Sequence, residues 1–293
     1  METVGVLHPG SMGAAVAACA KANGRRVLWC AEGRSAASAA RAEKFGLEAV
    51  ASLPELLDQA DIVISLCPPA AAEDLARLVA VHGLRGRVFV EANAITPERM
   101  KRIAALLPSA EAVVDAAVVG SPPVGGKSPM LYLSGATEAA RRVAEVFSGT
   151  AVRTHWLGER LGQASALKLS YTSFQKVSRV LAAVSLGVAR EHGVDEELVA
   201  IASKRSGSYL AEPEYVVKTA ARAWRWGPEL DDAADMLAAA GLPDDVVRAA
   251  ARTLERWHAS KDDSELTLGA ALDQLATSLT PPDPPRGQPA PGR

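Results

Sequence analysis

The chain has 293 residues, enough for about two domains at roughly 150 residues each, and its 48% hydrophobic content suits packed cores and excludes disorder for most of its length. Lys plus Arg total 32 against 34 for Asp plus Glu, a formal net charge of −2, so no global basic field exists to hold a nucleic-acid backbone or an anionic membrane. Cys19, Cys30 and Cys67 lie far apart with no C-x-x-C pairing, and no two histidines have H-x-x-x-H spacing, so neither a disulfide framework nor a metal site is expected.

The first half alternates β-branched runs with helical patterns. Strands are expected at 3–7, 26–30, 61–66, 87–91, 112–119, 130–133 and 152–156, and strands spaced by helix-length segments imply crossover units and a largely parallel sheet. From about Leu161 onward the chain is rich in Ala, Leu, Glu and Arg with apolar residues at three-and-four spacing, which predicts helices alone. The boundary is expected between Gly158 and Gly162, giving an α/β domain over 1–158 and a helical domain over 159–279. Residues 280–293 hold six prolines and two glycines and are expected to form a flexible tail. Met1-Glu2-Thr3 leads straight into the first strand without a signal-peptide pattern, and no apolar run approaches the ~18 residues of a membrane span, so a cytoplasmic protein is expected.

Strand one is followed by His8-Pro9-Gly10-Ser11-Met12-Gly13 and then by five helix-forming residues, the setting in which the dinucleotide fingerprint G-x-G-x-x-G has meaning. Gly10, Ser11, Met12 and Gly13 are therefore candidate cofactor contacts: Gly10 lets backbone approach a pyrophosphate, Gly13 lets the helix pack on the strand, and the helix N-terminus offers free N–H groups. His8 replaces the first glycine and reads as a turn residue. The first domain is thus expected to be Rossmann-type and doubly wound. Strand two ends in Ala31-Glu32-Gly33-Arg34-Ser35, which carries both an acid suited to the ribose hydroxyls of NAD and a cation and hydroxyl suited to the 2′-phosphate of NADP. Arg34 and Ser35 favour NADP, with NAD the second choice; Ser35 also fits a plain helix N-cap.

Gly120-Ser121-Pro122-Pro123-Val124-Gly125-Gly126-Lys127-Ser128 nearly spells a P-loop, but the first glycine is one position off and residues 129–133 read as a strand where a P-loop needs a helix. A nucleotide triphosphatase is therefore not expected. Gly162-Gln163-Ala164-Ser165-Ala166-Leu167-Lys168 opens the helical domain, and Tyr171 and Thr172, three and four residues on, share the lysine's helix face.

The glycine turn, about 150 residues of α/β and a G-x-x-x-x-x-K opening an all-helical domain together resemble the β-hydroxyacid dehydrogenase and 6-phosphogluconate dehydrogenase superfamily, which includes imine reductases. His8-Pro9-Gly10-Ser11-Met12-Gly13 stands where that family has G-L-G-x-M-G. Leu66-Cys67-Pro68 stands at its Leu-Pro loop beside the cofactor, which makes these three further cofactor candidates. The segment from Glu91 to Pro97, with Asn93, is similar to its acidic segment after the fourth strand. The resemblance implies that Lys168 is the general acid and base, and that the chain forms an intertwined homodimer through its second domain.

Departures bear on the substrate. The family's D-A-P-V-S-G-G appears as Asp115-Ala116-Ala117-Val118-Val119-Gly120-Ser121, with the serine displaced, and its asparagine four residues past the lysine is Thr172. Its later lysine-aspartate pair falls near Asp231-Asp232, without the cation. Asn93, Ser121 and Thr172 are the candidate substrate contacts, Tyr171 a weaker one. The expected activity is reversible hydride transfer between a nicotinamide and a carbonyl or hydroxyl carbon of a small substrate. An NADPH-dependent imine reductase and a non-catalytic NADP(H)-sensing dimer are the alternatives.

Overall fold

The computed structural model describes residues 2–191, 193–204, 212–239 and 244–276. The expected tail at 280–293 lies outside them. Eight strands form one sheet: β1 (Thr3–Val6), β2 (Arg26–Cys30), β3 (Glu48–Val50), β4 (Ile62–Ser65), β5 (Val88–Glu91), β6 (Ala112–Val119), β7 (Met130–Ser134) and β8 (Arg153–Trp156). Their order is β3-β2-β1-β4-β5-β6-β7-β8. Every pair is parallel except β6–β7, whose short connection carries Gly120, Gly125 and Gly126 at positive φ and is too short for a crossover. A strand follows this connection, as the P-loop argument required. The helices are α1 (Ser11–Ala22), α2 (Ala36–Lys44), α3 (Leu53–Gln59), α4 (Ala72–His82), α5 (Pro97–Leu106), α6 (Thr137–Val146), α7 (Gln163–Glu191), α8 (Asp195–Ala202), α9 (Glu214–Ala220), α10 (Ala223–Ala239), α11 (Asp245–Leu254) and α12 (Leu268–Ala276).

Alternation along the strands builds two cores, one on each face of the sheet. Val4, Val6, Val27, Trp29, Ile62, Ile64, Val88 and Val90 point to the face covered by α1, α2 and α6. Leu28, Cys30, Val63 and Phe89 point to the other, covered by α3, α4 and α5. This period of two, buried on both sides, is the signature of a doubly wound sheet. Gly5 marks where α3 comes closest, since a Cβ there would lie 2.5 Å from Leu56 Cδ2.

Contacts divide the chain into two compact units, Met1–Gln175 with Pro228–Arg248, and Lys176–Gly227 with Ala249–Arg293. The first holds the sheet, α1–α6 and the start of α7. The second is helical among its described residues: Trp257 is fully buried and its Nε1 donates to Ala271 O at 2.7 Å, while the Arg179 guanidinium lies over the Tyr215 and Trp226 rings at 5.1 and 5.4 Å. Val177 and Val180 of α7 are buried; the side chains of Leu181, Val184 and Val188, expected on the same broadly apolar helix, lie outside the described residues. No described helix is long and apolar enough to cross a membrane.

Candidate functional site

Strand order reverses between β1 and β4, which makes the crevice at their carboxyl ends a topological switch point, the place where open α/β sheets bind ligands. The turn after β1 and the loop after β4 meet there. A Cβ on Gly13 would fall 2.4 Å from the His8 carbonyl oxygen and 3.5 Å from that of Leu66, so only glycine lets α1 start this close to both loops. Gly10 has an ordinary φ of −69° and serves as N-cap of α1 without a side chain. No side chain caps α1 and no acidic residue occupies its first turn, which leaves the N–H groups at Ser11 and Met12 without a side-chain acceptor at the crevice end of the helix. These features fit the pyrophosphate of a dinucleotide. Ser11 is exposed, and Met12 packs against the core.

The end of β2 supplies the other half of that crevice. Arg34 is half-buried, and its Nη1 lies 3.1 Å from His8 Nδ1. Glu32 is exposed. Ser35 is the N-cap of α2 and accepts from Ser38 N at 3.3 Å, so its hydroxyl has the capping duty that its sequence position also allowed.

A buried polar cluster anchors the loop after β4. Asn93 is 3% exposed; its Oδ1 accepts from Cys67 N at 2.6 Å, and its Nδ2 donates to Ser65 Oγ at 3.1 Å and to Glu91 Oε1. Both amide atoms are thus committed to the Leu66-Cys67-Pro68 loop and the strand beneath it. Glu91 is fully buried, and desolvation pushes its carboxyl up to about 8, helped by Asp115 on the neighbouring strand and opposed by the Asn93 and Ser65 hydrogen bonds. Burial, with Glu91 nearby, pushes the Cys67 thiol up to about 12, so it is no nucleophile at neutral pH. Beyond the loop, Arg99 donates to Pro69 O at 2.8 Å, to Glu73 at 3.1 Å and to Asp232 at 2.8 Å. Asp232, which stands near the place of the family's later lysine-aspartate pair, is therefore a structural partner of α5.

Lys168 is placed by β6. Asp115, fully buried, caps the start of α7: its Oδ2 accepts from Gly162 N at 3.0 Å, Ser165 N at 3.1 Å and Ser134 Oγ at 2.8 Å, while Oδ1 accepts from Ser165 Oγ at 2.6 Å. Ser134 faces Asp115 in the β6–β7 register and accepts from Ala164 N at 3.2 Å. One turn beyond this cap, Lys168 Nζ donates to Val118 O at 2.9 Å. Because β6 runs parallel to β5, β4 and β1, Val118 lies toward the same carboxyl edge as the glycine turn and the Leu66–Pro68 loop. Thr172 is buried one turn past the lysine; Tyr171 is partly exposed and its hydroxyl accepts from Gln175 Nε2 at 2.8 Å. Ser121 is exposed just after β6.

The sequence offers Asp115, Glu91 and Ser165 only as parts of motifs and gives no sign of the roles of Ser134 and Arg99. The signal for Asp115 was its place in an otherwise apolar strand. A recess of about 440 Å³ lined by Pro97, Lys101, Leu161 and Leu167 contains none of the candidate residues. Among the described residues no group of three His, Cys, Asp or Glu is arranged to hold a metal ion.

The sequence matches the family of the NAD binding domain of 6-phosphogluconate dehydrogenase over residues 3–158, more than half of the chain. The chain belongs to that family. Residues 189–257 match DUF1932, a domain of unknown function. An uncharacterized 28.5 kDa protein of Methanothermus fervidus is 27% identical over 186 residues, covering 64% of this chain and 70% of its own. Among solved structures, the 3-hydroxyisobutyrate dehydrogenase of Mycobacterium tuberculosis, with L-serine, has a TM-score of 0.73 at 20% identity, covering 94% of this chain and 100% of that one. A reductive aminase from Aspergillus terreus, in complex with NADPH and ethyl levulinate, has a TM-score of 0.58 at 19% identity, covering 93% and 99%. The fold is that of NAD(P)-dependent hydroxyacid dehydrogenases and reductases.

Proposed function

We propose that this chain is an NADP-dependent oxidoreductase of small carbonyl or hydroxyl substrates, with Lys168 as general acid and base. A nicotinamide cofactor, held by Gly10, Ser11, Met12, Gly13, the Leu66-Cys67-Pro68 loop, Arg34 and Ser35, supplies the hydride when bound. Lys168 Nζ gives a proton to the substrate oxygen in reduction and removes it from the hydroxyl in oxidation. The observation that carries this reading is the lysine's fixed place at the carboxyl edge, with its helix capped by Asp115 and its amine on Val118 O. Such preorganisation is what proton transfer needs and what a surface lysine lacks. Thr172 and Ser121 are the proposed substrate hydrogen-bonders. Asn93 acts through the loop it anchors and borders the same space.

The working form is proposed to be a cytoplasmic homodimer built from the α7 side of the molecule. Leu167, Tyr171 and Phe174 recur at helical spacing on α7, and Phe174 is 73% exposed, an apolar stripe that a second copy would cover. The interface should exceed ~2,000 Å² in total, and light scattering coupled to size exclusion tests it: an active species of one-chain mass at micromolar concentration contradicts it.

Titration with NADPH and NADH, followed by NADPH-dependent screening of ketones, aldehydes and imines and NADP-dependent oxidation of hydroxy acids, tests the activity. Carbonyl reduction that depends on Lys168 supports the proposal. Turnover of cyclic imines without ketones favours an imine reductase, and tight binding without turnover of any class favours a sensor.

A further inference from the structure

His8 stands where the fingerprint has its first glycine, and its ring joins two parts of the crevice that are 26 residues apart in sequence. On one side the ring lies against the glycine turn: a Cβ on Gly10 would come 3.2 Å from His8 Cδ2 and 3.5 Å from Nε2. On the other side Nδ1 is 3.1 Å from Arg34 Nη1. A guanidinium is only a donor, so Nδ1 accepts, and the imidazole is neutral with its proton on Nε2. Burial, with Arg34 and then Arg41 nearby, holds the His8 pKa below its ordinary value, in keeping with that neutral tautomer. Arg34 Nε is buried without a hydrogen-bond partner, while Nη1 has His8 Nδ1 as its partner.

We propose that His8 is a positioning residue for cofactor specificity: by holding Arg34 through Nδ1 it aims the guanidinium at the 2′-phosphate of NADP(H), so that the phosphate-binding turn and the ribose loop act as one unit. This rests on the reading that the crevice holds NADP(H). The trade is physical. A first glycine lets that turn approach the cofactor freely, whereas a histidine there gives up that space for a fixed cation at the ribose end.

The test is a binding cycle, read by fluorescence titration with NADPH and NADH separately, on wild type, His8→Ala, His8→Asn, Arg34→Ala and the His8→Ala/Arg34→Ala double variant. Thermal melting of each variant shows that it is folded. The expected result is that His8→Ala lowers the NADPH-over-NADH preference by about tenfold, the scale of one charge-assisted hydrogen bond, with NADH affinity little changed. His8→Asn, which keeps a side-chain acceptor, should retain most of the preference, and the double variant should lose no more than Arg34→Ala alone. Equal losses for both cofactors, unchanged preference in His8→Ala, or tighter NADPH binding once the ring is gone would each overturn the role of His8 while leaving the NADP reading intact. A wild type without NADPH preference, together with an indifferent Arg34→Ala, would instead remove the NADP reading and this inference with it.

Discussion

Glu91 should make the protein less stable as pH rises through the neutral range, the opposite of an ordinary paired carboxylate. In the unfolded chain its carboxyl ionises near 4.5, whereas burial and the neighbouring Asp115 push it up to about 8 in the fold. Between those values the folded state binds one more proton than the unfolded state, so stability falls with pH at about 1.4 kcal/mol per pH unit. The loss is absent below the unfolded value and complete above the folded one, about 5 kcal/mol in total as a ceiling. Between pH 5.5 and 7.5 this amounts to about 2.7 kcal/mol, a large share of a typical domain's margin. Glu91→Gln preserves the acceptor for Asn93 and cannot ionise. Urea unfolding of both proteins across pH 5 to 8.5 isolates the effect, because His8, whose depressed pKa acts with the opposite sign below its ordinary value, is common to both. The variant should gain on wild type steadily as pH rises. Parallel stability curves for the two proteins would refute a buried, protonated Glu91.

The two glycines of the turn should behave differently, since Gly10 has an ordinary φ and a Cβ there would meet only the His8 ring, at 3.2 Å, while Gly13 meets backbone. Gly10→Ala should fold with near wild-type stability and bind NADPH more weakly; Gly13→Ala should lose about 1–3 kcal/mol of stability as well, and equal unfolding midpoints would contradict this. Asp115→Ala removes the acceptor of four hydrogen bonds at the start of α7 and should destabilise by at least ~3 kcal/mol; unchanged urea unfolding would show that the cap is dispensable. Asp115→Asn, keeping one acceptor oxygen, should fold better and still depress kcat more than it raises KM, because it displaces Lys168 and leaves the cofactor turn intact.

Much of the fold was legible because its central strands are buried on both faces and bounded by turn residues. The runs at 26–30 and 112–119 match β2 and β6, and the other expected strands differ from the observed ones by a residue or two at their ends. β3 was missed for a physical reason: Glu48 and Ala49 are exposed at the sheet edge and only Val50 reaches a core, so three residues carry no alternation to read. The glycine turn was legible as a motif, since Gly13 answers to a local steric demand. What joins the site across the sheet was not. The Asp115 cap depends on its register with Ser134 and on where α7 starts, and the His8–Arg34 contact depends on the pairing of β1 with β2. Asn93 reads from sequence as a candidate substrate contact, but Ser65 at the end of β4 and Cys67 in the loop after it are distant in sequence, and their hydrogen bonds commit its amide to that loop.

The most direct measurement of the central claim pairs binding with turnover in one variant. Lys168→Ala should bind NADPH within a few-fold of wild type, because the lysine's amine donates to Val118 O on β6, a strand apart from the one that leads into the glycine turn. Its kcat for the best carbonyl substrate of the wild-type screen should fall on the order of 10²- to 10⁴-fold, the contribution of a positioned acid and base. A Lys168→Ala enzyme that reduces that substrate at the wild-type rate would contradict the assignment of proton transfer to Lys168.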